Sequence, residues 1–584
     1  MADTRFVETS LRAANQPPPL AGYDLFSENR PLVEALRREG DVEEEERCAA
    51  FGHLCGREPL ELGRLANEHP PTLRTHDRFG ERIDEVEFHP AWHGLLRLGV
   101  EHELHATAGG HVARAARFMT LAYAEAGVGC PLSMTYAAVP ALRASAPELA
   151  EEWQPLLTST AYDPGLRPPR EKAGALCGMA MTERQGGSDV RANETVAEPA
   201  GDDYVLDGHK WFCSAPMSDA FLVLAQAPDG LTCFLLPRVL DDGSRNGFRI
   251  DRLKDKLGNR SNASAEIRLE GAVAHRVGDE GRGVATIMEM VVHTRLDCVL
   301  GSTALMRRAV AEATHHAAHR AAFGRLLSEQ PLMQNVLADL CLDSEAATAT
   351  ALRLARAFDE DDHAFRRLAA AVSKYWICKQ TPPLVAEALE CLGGNGYVEE
   401  SGLPRLFRES PLNSIWEGSG NVNCLDVLRA VEREPESLEA FHTELELARG
   451  ANTHLDAALG ELAAELADEA DLESRARRLV ERLALCLQAS LLVRHAPAEV
   501  ADAFCATRLG GEGGRAYGTL PRAVDTAASA VISSSCSGKR PSCCFEKTSA
   551  PSATMSNWLF APSTASASYP SPVNTAARLA ARRS

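Results

Sequence analysis

The spacing of apolar residues divides the chain into helical and β-rich stretches. Over residues 28–157 the apolar positions recur mainly three or four residues apart, which is the period of an amphipathic helix. Within residues 112–119, Val112 and Met119 share one helical face, and Arg114 and Arg117 are expected on another. The pattern predicts a helical N-terminal domain over residues 1–175.

Short β-prone runs follow a proline-rich segment at residues 167–170. Residues 204–206, 221–225 and 232–236 contain Tyr, Val, Phe or Thr, and a Pro-Asp-Gly turn separates the last two runs. Runs of this length bounded by turn residues are typical of strands joined in hairpins. We expect an antiparallel β domain over residues 176–280.

Helical spacing returns at residue 284. It predicts a second helical domain over residues 281–445 and a further helical unit over residues 446–525. The last stretch, residues 526–584, holds fourteen serines and a single acidic residue. Such a composition predicts a disordered tail, and a shift of reading frame after about Asp525 is an alternative origin of the change.

Composition narrows the class of protein. A chain of 584 residues with 45% hydrophobic residues can form three or four packed units, and no apolar run approaches the roughly 18 residues of a membrane span. The formal net charge of −20 opposes nonspecific binding to nucleic acid. The sixteen cysteines lack a Cys-x-x-Cys pair, which favours reduced, mostly buried thiols. We expect a cytoplasmic protein without a secretory signal or a membrane span.

A glutamate between bulky apolar residues and a glycine-rich turn is the strongest candidate for chemistry. Glu417 follows Trp416 and precedes Gly418 in the stretch 413–421. Burial beside Trp416 would raise the pKa of this carboxyl group towards the range useful to a general base. The glycines would let the backbone approach a planar cofactor closely. A solvated loop glutamate is the alternative, and the motifs that precede Glu417 favour the chemical role.

Four motifs precede this glutamate. Paired glycines beside hydroxyl residues at 179–190 can present N–H groups to a phosphate or to the polar edge of a flavin. An aromatic segment follows at 208–214, an arginine-containing turn at 320–324 and a glycine-rich turn at 392–397. Each motif alone is compatible with an ordinary turn, but their fixed order is specific.

The ordered set resembles the acyl-CoA dehydrogenase superfamily. The sequences of residues 88–93, 254–264 and 413–421 are similar to those of its AidB branch, the alkylation-response flavoproteins. The resemblance covers about residues 14–524. It implies a mostly α fold with a central β-barrel, in the order α-helical, β-barrel and α-helical, plus an extra C-terminal helical domain. It also implies bound FAD and a homotetramer built as a pair of dimers.

The same resemblance assigns residues to the cofactor. Phe212 would stack near the isoalloxazine, where the family usually has Trp, and Ser214 would bond its N5 edge. The remaining flavin contacts would come from two loops, namely Met181, Thr182, Gly187, Ser188, Gly418, Ser419 and Asn421. The adenine and pyrophosphate half would be held across a subunit boundary by Arg320, Phe323, Gln330, Gly393 and Gly394.

The resemblance also implies the reaction. Glu417 would remove the α-hydrogen of an acyl-CoA thioester while hydride leaves the β-carbon for the flavin. Some family members place the base on an earlier helix, at the position that is Thr294 here, so Glu417 is the remaining candidate. Ser188 and Arg295 would lie on the substrate side.

The histidine clusters and the C-terminal arginines raise the questions of a metal site and of a DNA-binding site. The histidines at 102 and 105, and at 315, 316 and 319, lack further convergent ligands, so no metal site is predicted. The AidB branch is associated with DNA binding and protection against alkylation, with little turnover. Residues 446–525 carry nine arginines against thirteen acidic residues, a poor electrostatic footprint for DNA. A local patch could still form from Arg429, Arg475, Arg477, Arg478, Arg482 and Arg508, unless Glu473 and Glu481 pair with it.

Overall fold

Residues 15–107, 109–468 and 470–527 are described by the structure, a computed structural model of the chain. The predicted tail over 526–584 lies outside the described residues from position 528 onward. Within the described part, helices precede and follow a β domain, in the order that the apolar spacing predicts.

Four of the helices before the β domain have a proline at their first or second position. The missing N–H group of proline costs no hydrogen bond at these positions. The described helices of this part are α1 (Arg30–Glu39), α2 (Glu45–Cys55), α3 (Glu58–Glu68), α4 (Pro90–Glu101), α5 (Gly110–Ala124), α6 (Gly129–Ser145) and α7 (Pro147–Leu157).

Long helices dominate the part after the β domain. The described helices there are α8 (Gly283–His319), α9 (Pro331–Asp359), α10 (His363–Cys391), α11 (Leu403–Glu409), α12 (Gly420–Arg433), α13 (Pro435–Glu446), α14 (Thr453–Ala467), α15 (Leu472–His495) and α16 (Ala498–Phe504). Buried apolar residues from the first and the last of these helices belong to one continuous core. The boundary at 445/446 therefore stays a prediction.

Helix α5 is buried on every side, so the prediction of a separate arginine face is wrong. Arg114 and Arg117 are both fully buried. Arg114 donates two hydrogen bonds of 2.7 Å to Asp297, and its guanidinium lies 3.5 Å from the Tyr136 ring centroid. Arg117 lies 2.8 Å from Glu44. Helix α5 packs against α2, α8 and α9 at once, so its polar positions pair inside the core.

A β-hairpin interrupts the N-terminal helices where only helices were expected. Strand β1 (Thr72–His76) pairs antiparallel with β2 (Arg82–Glu87). Leu73 and Val86 pack against the interior core of the β domain, and Arg82 donates to the carbonyl of Ile250 at 3.1 Å. The hairpin is stabilised by these distant contacts.

The β domain is a closed barrel. Its strands are β3 (Cys177–Ala180), β4 (Val196–Ala200), β5 (Asp203–Ser214), β6 (Ala220–Ala227), β7 (Gly230–Pro237), β8 (Phe248–Leu253) and β9 (Ser264–Val277). Pairing runs from β6 through β7, β9, β5 and β4 back to β6, with β3 added to β6 and β8 to β9. The antiparallel expectation is wrong for two pairs, because β3 and β4 run parallel to β6.

Strand β6 is buried on both faces and joins the barrel to the helices. Phe221 and Val223 belong to the barrel interior, whereas Leu222 and Leu224 belong to a core shared with α6 and the start of α8. This explains why the sequence shows an uninterrupted apolar run there. A last hairpin, β10 (Ala321–Ala322) and β11 (Arg325–Leu326), follows α8. The mostly α fold with a central barrel is confirmed, and no described helix is long and apolar enough to cross a membrane.

Candidate active site

Glu417 lies in a tight turn between a 3-10 turn at Leu412–Ser414 and helix α12. Its backbone is left-handed, with φ of 56°, and Gly418 follows with φ of 95°. A left-handed backbone is costly for a residue with a Cβ, so surrounding contacts must hold it. Trp416 packs against the core shared by the barrel and α6, and its Nε1 donates to Asn413 Oδ1 at 3.0 Å.

The Glu417 carboxyl group has the environment of a general base. Thr294 of α8 donates its hydroxyl hydrogen to Oε2 at 2.7 Å. Burial raises the pKa of Glu417 above its ordinary value, while the Thr294 hydrogen bond, Lys374 and Arg295 oppose the rise. The other oxygen, Oε1, makes no hydrogen bond to any residue that the structure describes. That oxygen is available to a substrate.

Arg295 of α8 contacts the turn that carries Glu417. It is buried, its Nε donates to the Glu417 carbonyl at 3.2 Å, and its Nη1 lies 2.6 Å from Asp426 on α12. Arg367 of α10 reaches the same Asp426 carboxylate at 3.0 Å. These contacts are internal to the protein, so the substrate role of Arg295 stays a prediction.

Replacing Thr294 with valine should move the pH dependence of the Glu417 base. Valine keeps the volume but removes the hydrogen bond that favours the carboxylate, so the pKa of Glu417 rises further. A base works only when ionised, and its activity is lost as the pH falls through its pKa. The acid limb of the rate of flavin reduction by an acyl-CoA should therefore shift to higher pH. An unmoved limb in the variant would mean that another group sets it.

The end of strand β5 presents an aromatic surface. Phe212 is 51% exposed, and Lys254 Nζ lies 4.6 Å from its ring centroid and 3.6 Å from that of Trp211. The Ser214 hydroxyl lies 3.4 Å from that of Ser264. Lys254 thus lies over both rings, and Phe212 is the more exposed of the two.

Lys256 extends the hydrogen bonding behind Ser214. Its Nζ donates to Ser264 Oγ at 3.1 Å and to the carbonyl of Asn262 at 2.7 Å. Burial lowers the pKa of this ammonium group to about 8. The Ser214 hydroxyl is therefore linked through the Ser264 hydroxyl to the half-buried Lys256 ammonium group.

The 181–188 loop is tied to β5. The backbone N–H of Trp211 donates to the Thr182 carbonyl at 2.8 Å. Lys210 Nζ lies 2.6 Å from Glu183 Oε1, and both side chains are completely buried. Gly187 is also required here, because a Cβ at this position would lie 2.4 Å from Thr182 Oγ1. Met181 and Thr182 are half-buried, whereas Gly187 and Ser188 are exposed.

The second group of predicted cofactor residues forms a separate surface. Phe323 is 98% exposed at the tip of the β10–β11 hairpin, and Gln330 donates to the carbonyl of Ala322 at 2.9 Å. Arg320 donates to the Asn15 carbonyl at 2.7 Å, and Gly393 and Gly394 are exposed. Among the described residues, no hydrogen bond or ion pair links this group to the Glu417 turn of the same chain. The assignment across a subunit boundary expects such a separation.

Helix α15 contacts the predicted flavin loop. Arg477 Nε donates to Asn421 Oδ1 at 2.8 Å, and its Nη2 lies 3.4 Å from the position a Cβ would take at Gly420. Ser419, the residue before α12, is exposed. Helix α15 thus contacts the first residues of α12, directly after the loop that carries Glu417.

The residues present fit a flavin nucleotide. The ring of Phe212 is 51% exposed and can stack on a planar ligand. The hydroxyl of Ser214 lies at the end of the same strand, and α12, a helix of 14 residues whose N-terminus favours anions, begins at Gly420, directly after the Glu417 turn. This combination of ring, hydroxyl and N–H donors suits the edge of an isoalloxazine.

Three of the four α15 arginines in the candidate DNA patch lie near acidic groups. Arg478 pairs with Glu465 at 2.8 Å and Arg482 with Glu461 at 2.7 Å, both acids lying on α14. Arg475 lies 3.5 Å from Asp468. These partners differ from Glu473 and Glu481, which the sequence suggested. Arg508 pairs with Asp339 at 2.6 Å and Asp343 at 3.0 Å on α9, away from solvent, and Arg429 is exposed.

Sequence reasoning missed the lysines that build the site. Lys210 and Lys374 are each 1% exposed, although lysine is normally a surface residue. One signal was present, since only eight of the 61 basic residues are lysine. In a chain with so strong a preference for arginine, a retained lysine marks a position that needs a compact ammonium group.

Three family models match the chain in the order of its parts. The Adaptive response protein AidB N-terminal domain matches residues 15–164. The acyl-CoA dehydrogenase middle domain matches residues 178–272, and the acyl-CoA dehydrogenase C-terminal domain matches residues 281–432. The middle-domain match covers most of the barrel, and the C-terminal match contains Thr294 and Glu417.

Individual proteins agree with these matches. The chain is 46% identical over 513 residues to the putative acyl-CoA dehydrogenase AidB of Escherichia coli K12, covering 86% of this chain and 94% of that protein. It is 32% identical over 526 residues to acyl-CoA dehydrogenase family member 11 of Caenorhabditis elegans, covering 81% and 84%.

Solved structures extend the comparison to three dimensions. The crystal structure of Caenorhabditis elegans ACDH-11 in complex with C11-CoA is 30% identical, with a TM-score of 0.78, and covers 85% of this chain and 92% of that one. An acyl-CoA dehydrogenase from Bacillus anthracis complexed with FAD shares the fold at 19% identity, with a TM-score of 0.65 over 81% of this chain and 87% of that one. The chain therefore belongs to the acyl-CoA dehydrogenase family, in the branch that contains AidB.

Proposed function

We propose that this chain is an FAD-dependent dehydrogenase that forms a double bond between the α and β carbons of an acyl-CoA thioester. The observation that carries the proposal is the Glu417 carboxyl group, whose pKa is raised by burial and whose second oxygen makes no hydrogen bond to any residue that the structure describes. FAD, when bound, accepts the hydride that leaves the β-carbon.

Glu417 supplies the proton acceptor. The α C–H bond breaks, the proton moves to the carboxylate, and the electron pair left on the α-carbon forms the new double bond. Thr294 holds one carboxylate oxygen, so the other oxygen is presented to the substrate.

An acyl-CoA is the substrate class that the relatives support. The related ACDH-11 has been solved with C11-CoA, and the E. coli relative is a putative acyl-CoA dehydrogenase. A panel of short, branched and long acyl-CoAs, incubated with the FAD-loaded protein and an artificial electron acceptor, tests the proposal. Mass spectrometry should show a product lighter by two hydrogen atoms. Unchanged thioesters throughout the panel would contradict it.

The same family assignment supports a homotetramer. Phe323, Leu332 and Tyr397 are between 82% and 98% exposed, and large apolar side chains in that state usually meet a partner surface. Sedimentation velocity of the FAD-loaded protein should give a tetramer, and Phe323→Ser should weaken both assembly and FAD retention. A monomer that retains FAD would contradict the assignment across subunits.

The alternative of an alkylation-response protein that binds DNA receives less support from the described contacts. Arg475 and Arg478 already lie near acidic groups, so little positive charge remains for phosphate. We expect the double variant Arg475→Ala, Arg478→Ala to bind duplex DNA no more weakly than the unaltered protein at any salt concentration. Strongly salt-dependent binding that the double variant loses would favour the DNA role.

A further inference from the structure

Lys374 contacts the carbonyl groups of the two residues on either side of Glu417. It lies on α10, is 1% exposed, and its Nζ donates to the carbonyl of Trp416 at 2.7 Å and to the carbonyl of Gly418. No other described side chain bonds both of these carbonyls. The ammonium group thus joins two carbonyl groups of the turn that carries Glu417, the residue assigned as the base.

Placing an ammonium group there is costly. Burial lowers the pKa of Lys374 below its ordinary value, and its hydrogen bonds to the described residues go to carbonyls rather than to a carboxylate. A buried lysine without an ion-pair partner is rare, because the loss of hydration must be offset by good hydrogen bonds. The position therefore serves a local purpose beyond filling the core.

The purpose follows from the backbone of the turn. With φ of 56°, Glu417 occupies a left-handed conformation that is costly for a residue with a side chain. Its own carbonyl is held by Arg295, and the Gly418 carbonyl also accepts from Asn423. Lys374 fixes the 416–417 and 418–419 peptide planes at the same time, which neither of the other two contacts does.

We propose that Lys374 is a positioning residue for the reaction, holding the Glu417 side chain in its productive direction by clamping the Trp416 and Gly418 carbonyls. This inference rests on the proposed function, since it needs Glu417 to be the base. A misplacement of about 1 Å at the base can cost on the order of 100-fold in rate.

The charge of Lys374 gives the role a distinct signature. A nearby positive charge favours the carboxylate form of Glu417, so removing the charge raises the pKa of Glu417. The other titratable or charged groups around the pair lie on several elements, namely Cys130 on α6, Arg295 and Cys298 on α8, Cys378 on α10 and Asp426 on α12. The cysteine thiols are buried with raised pKa values and stay neutral across the range of the measurement.

The test compares Lys374→Met, Lys374→Arg and the neighbouring control Ser373→Ala by stopped-flow flavin reduction across pH. Ser373 is buried on the same helix, and its hydroxyl makes no hydrogen bond in the described structure. We expect Lys374→Met to reduce flavin about 10- to 100-fold more slowly, with the acid limb moved to higher pH. Lys374→Arg should keep the limb near its original pH because it keeps the charge, and Ser373→Ala should match the unaltered protein.

The outcomes separate this inference from the proposed function. If the unaltered protein reduces no flavin with any acyl-CoA, the proposed function itself fails. If the unaltered protein is active and Lys374→Met has the same rate and the same acid limb, Lys374 is not a positioning residue although the dehydrogenase assignment stands. If Lys374→Met does not fold, Lys374→Gln takes its place, because glutamine removes the charge but keeps a polar side chain, and a Lys374→Gln variant with the unaltered rate and the unaltered acid limb would equally overturn the role of Lys374.

Discussion

Replacing Glu417 with glutamine should abolish flavin reduction by acyl-CoA while leaving FAD bound. Glutamine keeps the size of the side chain and can accept the Thr294 hydrogen bond, but its amide cannot take up the α-proton. The loss of a general base typically costs about 10²- to 10⁴-fold in rate. Anaerobic stopped-flow absorbance of the flavin measures the rate, and the ratio of flavin to protein absorbance measures FAD content.

A matched control separates loss of the base from loss of the cofactor. Glu473 is an exposed glutamate on α15, and Glu473→Gln removes the same charge from the chain without touching the turn. This control should reduce flavin at the unaltered rate. A Glu417→Gln protein that holds FAD and still reduces it at the unaltered rate would show that another group removes the proton.

Replacing Lys210 with methionine should destabilise the protein by about 3–5 kcal/mol, because breaking a buried ion pair leaves one charge unpaired. Lys210 and Glu183 are both completely buried, 2.6 Å apart, and Lys210 also donates to the carbonyl of Leu224 at 2.6 Å. The pair joins the predicted cofactor loop to strand β5. Denaturant unfolding at neutral pH should show a lower midpoint, and FAD should be retained more weakly.

The pH dependence of the loss gives a second check. Burial disfavours ionised Glu183, but Lys210 and neighbouring hydrogen-bond donors outweigh it and hold the pKa of Glu183 below its usual range. Without Lys210 that pKa rises above its unfolded value, so protonation at low pH removes the buried charge and the deficit in stability shrinks. Lys210→Met combined with Glu183→Gln should recover part of the loss, and a double variant no more stable than Lys210→Met would contradict the pairing.

The strands and the order of the parts could be predicted from sequence because their patterns are local. The runs at 221–225 and 232–236 lie within β6 and β7, where both faces of the strand are buried. The hairpin of β1 and β2 escaped detection, since its strands are largely polar and their support comes from the barrel through Leu73 and Val86. Local spacing carries no record of such a contact.

The site was predictable in part for a similar reason. Glu417 and the aromatic segment at 208–214 are contiguous motifs, and the burial of Glu417 raises its pKa as the apolar neighbour Trp416 suggested. The contacts of Thr294, Arg295 and Lys374 with the turn join residues 42 to 123 positions apart and depend on how α8 and α10 pack. Helical spacing alone placed Arg114 on a polar face, whereas its charge pairs with Asp297 inside the core.

The most direct test of the central claim is the flavin absorbance of the purified, FAD-loaded protein when it is mixed anaerobically with short, branched and long acyl-CoAs. The proposed dehydrogenase predicts rapid bleaching with at least one of these thioesters, because Glu417 has the raised pKa of a base and the exposed Phe212 ring is assigned to the flavin. Bound FAD that stays oxidised with every thioester would contradict the dehydrogenase and favour the protective role associated with the AidB branch.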